Sequence, residues 1–138
     1  MNKEDSIKEK FKQALLSTYK VISDDYKDVK NKKDHKKVYD IGEIDNINDK
    51  NQFKKLRAET DSEALKIRFS NRKLLDKNNP QNPSCRTLYQ LAEKVRYELL
   101  GSEMLKGISK NFKDNYKNRL RHLKHEKITK KEDKIGRA

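Results

Sequence analysis

Apolar residues near the start of the chain recur every three or four positions, which is the spacing of one face of an α-helix. This first stripe runs over residues 7–22 and ends at the polar residues 23–25. Ser6 and Glu9 have the spacing of a capping box, in which each side chain bonds a backbone amide at the helix start. The pattern therefore predicts a first helix with Ser6 as its N-cap.

A polar interval follows the first stripe. Between residues 24 and 51 the helical periodicity decays, although Ile41, Ile44 and Ile47 still recur at short spacing. A long interval without periodicity is typical of a flexible or variable loop. We expect residues 24–51 to form such a loop, or to contain one short strand.

The second half of the chain carries three more apolar stripes. One covers residues 53–75 and is stopped by Pro80 and Pro83, because a proline disfavours helix at the residue before it. The next covers residues 84–100, and a last one covers residues 102–123.

Glycine and charge mark the ends of these later helices. Gly101 follows the third stripe, where a glycine is typical of a helix C-cap. Residues 124–138 alternate charges without an apolar face, so we expect a frayed, loose basic tail. The whole pattern predicts an all-α fold, a small bundle of about four helices in a single domain over residues 1–138.

Composition limits the size of the hydrophobic core and indicates the cellular compartment. Of the 138 residues, 32% are hydrophobic and 41% are charged, so either part of the chain stays loose or a partner completes the core. No run of about 18 apolar residues is present, and the acidic start MNKEDSIKEKF does not fit a signal peptide. The single cysteine, Cys85, fits a reducing environment. We therefore expect a cytoplasmic protein without a membrane segment.

The net charge of +13 has two interpretations. A basic chain can bind nucleic acid, because neutralising phosphates drives such binding. Alternatively, the charge reflects a composition rich in Lys and Asn, and its spread along the chain favours this second interpretation. Lysines do alternate with Phe112 and Tyr116 in the last stripe, but we expect these aromatic residues to lie in the core. Nucleic-acid binding stays the alternative function.

The residue types that carry catalysis do not form a recognisable set. The four glycines are not spaced for a phosphate-binding loop. His122 and His125 are one helical turn apart, but we expect a solvated pair rather than a metal site. Cys85 lies on the third apolar stripe, so we expect it in the core. The sequence predicts no catalytic residue, no metal site and no cofactor bound by this chain.

One ordered set of residues carries a resemblance to a known family. Its run Ala-Glu-Lys-Val-Arg-Tyr-Glu-Leu-Leu-Gly over residues 92–101, followed by Gly-Ile and Asn-Phe, resembles the signature of the T subunit (CobT) of aerobic cobaltochelatase. Residues 61–68 resemble the helix before this signature, and residues 11–14 resemble the opening segment of the family. The positions that match the signature are Arg96, Glu98, Gly101, Gly107, Ile108, Asn111 and Phe112.

The resemblance implies a function in cobalamin biosynthesis. It implies a non-catalytic docking module of an ATP-dependent cobaltochelatase, which inserts cobalt into a corrin ring. The implied partners are the large subunit and an AAA+ ATPase subunit, and cobalt, magnesium and ATP are implied for that complex. Family members also have an acidic linker and a von Willebrand-type domain with an Asp-x-Ser-x-Ser motif, which this sequence lacks. The chain therefore resembles the N-terminal helical domain alone, a split or degenerate remnant, with a separate von Willebrand-type fragment as a further partner.

The signature residues have a partner-binding or a packing interpretation. Arg96 and Glu98 precede Gly101 closely, so we expect them to fix a turn there or to present a charged edge. We expect Gly107 to permit a close helix contact, and Asn111 completes the set. A signature used for packing, direct contact with a corrin or cobalt, and a product with no present activity all stay open.

Overall fold

The computed structural model describes residues 2–24 and 39–135, with side chains as far as residue 127. These ranges contain no strand, which confirms the all-α prediction. They contain five helices: α1 (Lys3–Ser23), α2 (Lys50–Phe69), α3 (Arg72–Lys77), α4 (Pro83–Met104) and α5 (Lys106–Ile135).

Helix α1 begins earlier than the capping pattern predicts. Its N-cap is Asn2, and the amide of Ser6 donates to the Asn2 carbonyl at 3.2 Å, so Ser6 lies inside the first turn. Glu4 and Asp5 occupy that turn, where negative charge interacts favourably with the helix dipole. The prediction of Ser6 as N-cap is therefore wrong. The C-cap is Asp24, whose φ of 58° is left-handed.

The stripe predicted as one helix over residues 53–75 forms two helices. Asp49 caps α2 by accepting from two backbone amides, and α2 ends at Phe69, followed by the C-cap Ser70, whose backbone is extended. Asn71 then caps α3 by accepting from the Leu74 amide at 3.3 Å. Polar side chains that compete for backbone amides in this way favour helix ends over helix interiors. The Asn71 cap, directly after the extended backbone of Ser70, is therefore the physical reason for the break.

Gly101 lies inside α4 rather than at its end, so the predicted C-cap is wrong. A Cβ atom at this position would lie 2.3 Å from Leu65 Cδ1 of α2, which shows that the glycine permits a close helix approach. The helix continues to Met104, and Leu105 alone separates it from α5. Helix α5 then extends to Ile135, so helical backbone occupies most of the segment for which the sequence predicts a loose tail.

Helix α2 is the centre of the fold, since it packs against α1, α4 and α5. A first core cluster joins these four helices and contains Ile22, Ala58, Ala64, Leu65, Tyr97, Ile108 and Phe112. A second cluster joins α1 and α2 to the segment before α2 and contains Leu15, Ile41, Ile44 and Leu56.

The predicted loop after α1 is packed where the structure describes it. Ile41 and Ile44 are buried, and the ring of Tyr39 stacks on Tyr19 with 4.9 Å between centroids. No strand forms over residues 39–49. Residues 25–38, which belong to the same predicted loop, lie outside the described residues.

Candidate partner-binding interface

Glu98 is a buried carboxylate that joins three helices. Its Oε1 accepts from Ser62 Oγ of α2 at 2.7 Å, and its Oε2 accepts from the Tyr116 hydroxyl of α5 at 2.5 Å. Lys94 Nζ lies 3.9 Å from Oε1 and partly balances the charge. Burial, and then the bond to Glu98, raise the pKa of Tyr116, so this hydroxyl keeps its proton. Hydrogen bonds to charged groups contribute about 1.5–3 kcal/mol each, so Glu98 stabilises the three-helix junction.

Arg96 holds the C-terminal end of α2. Its Nη2 donates to the carbonyl of Phe69 at 2.7 Å, where a cation interacts favourably with the helix dipole. Its Nε and Nη2 also bind the two oxygens of Glu93 at 2.8 and 2.7 Å. The hydrogen bonds from Arg96, supported by a 2.7 Å bond from Ser70 Oγ, lower the pKa of Glu93. Arg96 therefore fixes the end of α2 rather than a turn at Gly101.

Asn111 reaches the most deeply buried carboxyl group of α2. Its Nδ2 donates to Asp61 Oδ2 at 2.8 Å, and Asp61 is only 2% exposed. Burial raises the pKa of Asp61, while the bond from Asn111 and the charge of Arg57 act in the opposite direction. The contact positions α5 on α2.

Gly107 makes no close helix contact. A Cβ atom built there meets no other atom within 4 Å, so the expected role for this glycine is wrong. The residue is exposed in the first turn of α5, where another side chain would fit.

The remaining signature residues converge on one segment of α2. On α2, Arg96 contacts Phe69 and Glu98 contacts Ser62. Gly101 lies against Leu65, and Asn111 contacts Asp61. This segment includes the run at residues 61–68 that carries part of the sequence resemblance. The signature residues thus make contacts inside the bundle, and sequence spacing gave no sign of their partners because Ser62 and Glu98 are 36 positions apart.

The apolar side of α4 faces away from the bundle. We call this set the α4 stripe: Leu88, Leu91, Ala92, Val95 and Leu99. Its four large side chains are about half exposed or more, from 49% for Val95 to 66% for Leu88. Cys85 is also exposed, so its predicted place in the core is wrong. The reason is that α4 buries a different side, which contains Tyr97, Glu98 and Gly101.

The α4 stripe has the spacing of a helix that packs against another helix. From residue 85 the steps alternate between three and four positions, through residues 88, 92, 95 and 99 to Ser102. Such a heptad pattern is typical of a helix–helix seam. A contiguous apolar face that stays exposed marks an interaction surface more often than scattered apolar residues do.

A row of cations on α5 begins where the α4 stripe ends. We call this set the lysine row: Lys106, Lys110, Lys113, Lys117, Arg121 and Lys124, all exposed and spaced along one helix face. Ser102 lines a shallow cleft of about 390 Å³ with the first four members, together with Ser109 and Asp114. The buried residues Ile108 and Phe112 lie on the opposite side of α5, as expected for Phe112. Tyr116, which was also expected in the core, is 37% exposed, so that part of the prediction is wrong. The lysine row is therefore a solvent-facing charged surface adjacent to the apolar one.

A second cleft of about 1030 Å³ lies between α2, α3 and α4. Tyr39, Tyr89 and Tyr97 contribute to its wall, beside acidic and basic side chains. Burial raises the pKa values of Tyr39 and Tyr97, so both hydroxyl groups keep their protons. Glu93 is already bonded to Arg96 and Ser70, so the wall holds the helices in place more than it presents a reactive group.

The residues considered for chemistry lie apart. His122 and His125 are on an exposed part of α5, Cys85 is at the start of α4, and His35 is outside the described residues. Among the described residues, no three His, Cys, Asp or Glu side chains are placed to hold a metal ion. In the same part of the chain, no helix has the length and apolarity needed to cross a bilayer.

Together these features define a small helical packing module with an uncovered apolar face. The family model described as cobalamin biosynthesis protein CobT matches residues 5–135. The chain therefore belongs to the CobT family, and the resemblance seen in the sequence is confirmed. Neither the curated proteins nor the solved structures contain a significant match.

Proposed function

We propose that this cobalamin biosynthesis protein is a non-catalytic docking module of an ATP-dependent cobaltochelatase, which inserts cobalt into a corrin ring. The family match over residues 5–135 carries the proposal. In this scheme cobalt is the substrate of the complex, while magnesium and ATP bind to the partner subunits. The partners are the large subunit, the AAA+ ATPase subunit and a separate von Willebrand-type fragment.

The distribution of side chains supports docking over catalysis. The signature residues Arg96, Glu98 and Asn111 have their polar groups bonded to α2. The apolar α4 stripe, in contrast, stays exposed although water contact costs free energy for each apolar side chain. A partner that covers this stripe would recover that free energy, which is the physical role of a docking module.

The lysine row favours one alternative, a basic accessory protein that binds nucleic acid. Its six cations lie on one exposed helix face. Phosphate binding would weaken steeply between about 50 and 200 mM salt. Docking through the α4 stripe would persist there, because apolar burial is not screened by salt.

A pull-down of the tagged chain from its own cell extract, at about 300 mM salt, tests the proposal. We expect mass spectrometry to identify the large subunit, the AAA+ ATPase or a von Willebrand-type fragment. The double variant Leu91→Gln/Val95→Gln should lose them, and the control Val21→Gln, which is equally exposed on α1, should retain them. Recovery of nucleic acid that washes off with salt would support the alternative, and recovery of neither would indicate a remnant without present activity.

A further inference from the structure

We propose that the α4 stripe and the lysine row form one composite docking site, and that its occupant is an acidic amphipathic helix of a partner protein. The inference rests on the proposed docking function and deepens it, because it assigns the surface and the chemistry of the segment that the surface binds.

The apolar half of the site has the length and geometry for one helix. Its heptad positions run from residue 85 to residue 102, or two and a half heptads along α4. Ala92 is a small residue between the larger Leu88 and Val95, and the small Cys85 precedes Leu88, which leaves depressions for the side chains of an incoming helix. Helices that pack in this way need apolar residues at matching intervals, so the occupant is amphipathic.

The basic half of the site determines the charge of the occupant. Ser102 is the last heptad position of α4 and also lines the cleft whose wall contains Lys106, Lys110 and Lys113. A helix that follows the α4 stripe beyond Leu99 therefore comes beside these ammonium groups. Asp114 is the carboxylate in the lining of this cleft, so the lysines outnumber it there. Complementary charge at such a position favours an acidic occupant and repels a basic one.

The same charges argue against a second copy of this chain as the occupant. Each chain has a net charge of +13, and two copies whose α4 helices paired in parallel would also bring their lysine rows toward each other. Like charges in that arrangement oppose association.

Synthetic helical peptides of about 21 residues, or three heptads, test the site by fluorescence anisotropy with the full chain. The probe has Leu at the heptad core positions and Glu elsewhere. One control peptide replaces every Glu with Lys, and the other replaces every Leu with Ser. We expect the Leu-Glu peptide to bind at least about tenfold more tightly than either control.

Variants of the chain separate the two halves of the site. Leu91→Gln/Val95→Gln should weaken binding of the Leu-Glu peptide about tenfold at low and high salt alike. Lys110→Glu/Lys113→Glu should weaken it by a similar factor at low salt and reduce its salt dependence. The matched control Val21→Gln/Lys54→Glu changes exposed residues elsewhere and should bind like the unchanged chain. Since all these side chains are exposed, circular dichroism should show the same helix content in each variant.

Four results would overturn the proposal. The Lys peptide could bind as tightly as the Glu peptide, or both double variants could leave binding unchanged. Sedimentation could instead reveal a dimer of the chain that Leu91→Gln/Val95→Gln abolishes, which would make the second copy the occupant. A single-stranded RNA that binds the lysine row and displaces the Leu-Glu peptide, with Leu91→Gln/Val95→Gln having no effect on the RNA, would assign the row to nucleic acid.

The peptide assay and the pull-down fail independently. Tight peptide binding without chelatase subunits in the pull-down would contradict the proposed function and leave the docking site standing. Recovery of those subunits without peptide binding would support the proposed function and contradict the docking site.

Discussion

The buried and exposed faces of α4 reverse the usual distribution, because a charged residue is buried and large apolar residues are exposed. The inner face buries Tyr97, Glu98 and Gly101, whereas the outer face exposes Leu88 and Leu99 with the rest of the α4 stripe. The inner face is held by hydrogen bonds and by a close backbone approach, and the outer face is available for a partner. The contrast shows that the more hydrophobic side of a helix is not always its buried side.

The largest effect should come from filling the space at Gly101. In Gly101→Val the new side chain would overlap Leu65, because even a Cβ atom lies 2.3 Å from Leu65 Cδ1. Overpacking of this kind costs about 3 kcal/mol. Urea unfolding measures the loss, and Gly107→Ala is the control because no atom lies within 4 Å of its Cβ. Equal stability of the two variants would contradict the close contact between α2 and α4.

The next largest effect concerns the carboxylate at the three-helix junction. Glu98→Gln keeps the shape of the side chain but removes the charge that strengthens the bonds from Ser62 and Tyr116. We expect the free energy of unfolding to fall by about 1–2 kcal/mol, measured by urea unfolding. Glu103→Gln on the same helix is exposed and should change it by less than about 0.5 kcal/mol. A Glu98→Gln variant as stable as its control would show that the junction contributes little.

The buried Asp61 should produce a dependence of stability on pH. Burial raises its pKa above the ordinary value of 3.8, so the folded state binds a proton more readily than the unfolded state. The contribution of Asp61 is therefore most favourable below pH 3.8 and becomes unfavourable as the pH rises through the folded pKa. Asp61→Asn should gain stability relative to the unchanged chain across that interval, as measured by thermal unfolding at a series of pH values.

Glu93 provides the opposite case for comparison. Its pKa is lowered from 4.5 by the bond to Arg96, so its stabilising contribution is present above pH 4.5 and is lost as the pH falls through the folded pKa. Glu93→Gln should therefore lose stability mainly at the higher pH values. If both variants shifted the pH profile in the same direction, the assigned environments would be wrong.

The smallest effect on stability should come from the outer face. Leu91→Gln/Val95→Gln should change the free energy of unfolding by less than about 0.5 kcal/mol per site, since both side chains are exposed in the isolated chain. The same variant should lose partner binding. A large loss of stability would show instead that the α4 stripe belongs to the core and would end the contrast between the two faces.

Some of this structure could be predicted from the sequence, because local periodicity governs it. The helical class, the first helix and the core position of Phe112 follow from three- and four-residue spacing. The break after Phe69 was missed because the Asn71 side chain caps α3, a hydrogen bond that the apolar pattern does not register. The early start of α1 at Asn2 was missed as well, and no side-chain hydrogen bond caps it.

The orientation of α4 could not be predicted, because it depends on residues distant in the chain. Glu98 is accommodated inside the bundle because Ser62 and Tyr116 donate hydrogen bonds to it. Asp61 is accommodated because Asn111, which is 50 positions away in the sequence, donates a hydrogen bond to it. A hydrophobic stripe indicates that something covers a helix face. It does not indicate whether the cover is part of the same chain.

The accessibility of Cys85 tests the central claim most directly. This cysteine is exposed at the first heptad position of the outer face and is the only one in the chain, so a thiol reagent reports on it alone. Its alkylation rate would be measured in the purified chain and in the complex recovered at about 300 mM salt. We predict that the rate falls about tenfold in the complex, since a bound helix would cover this face. An unchanged rate in a complex that contains chelatase subunits would contradict docking through α4.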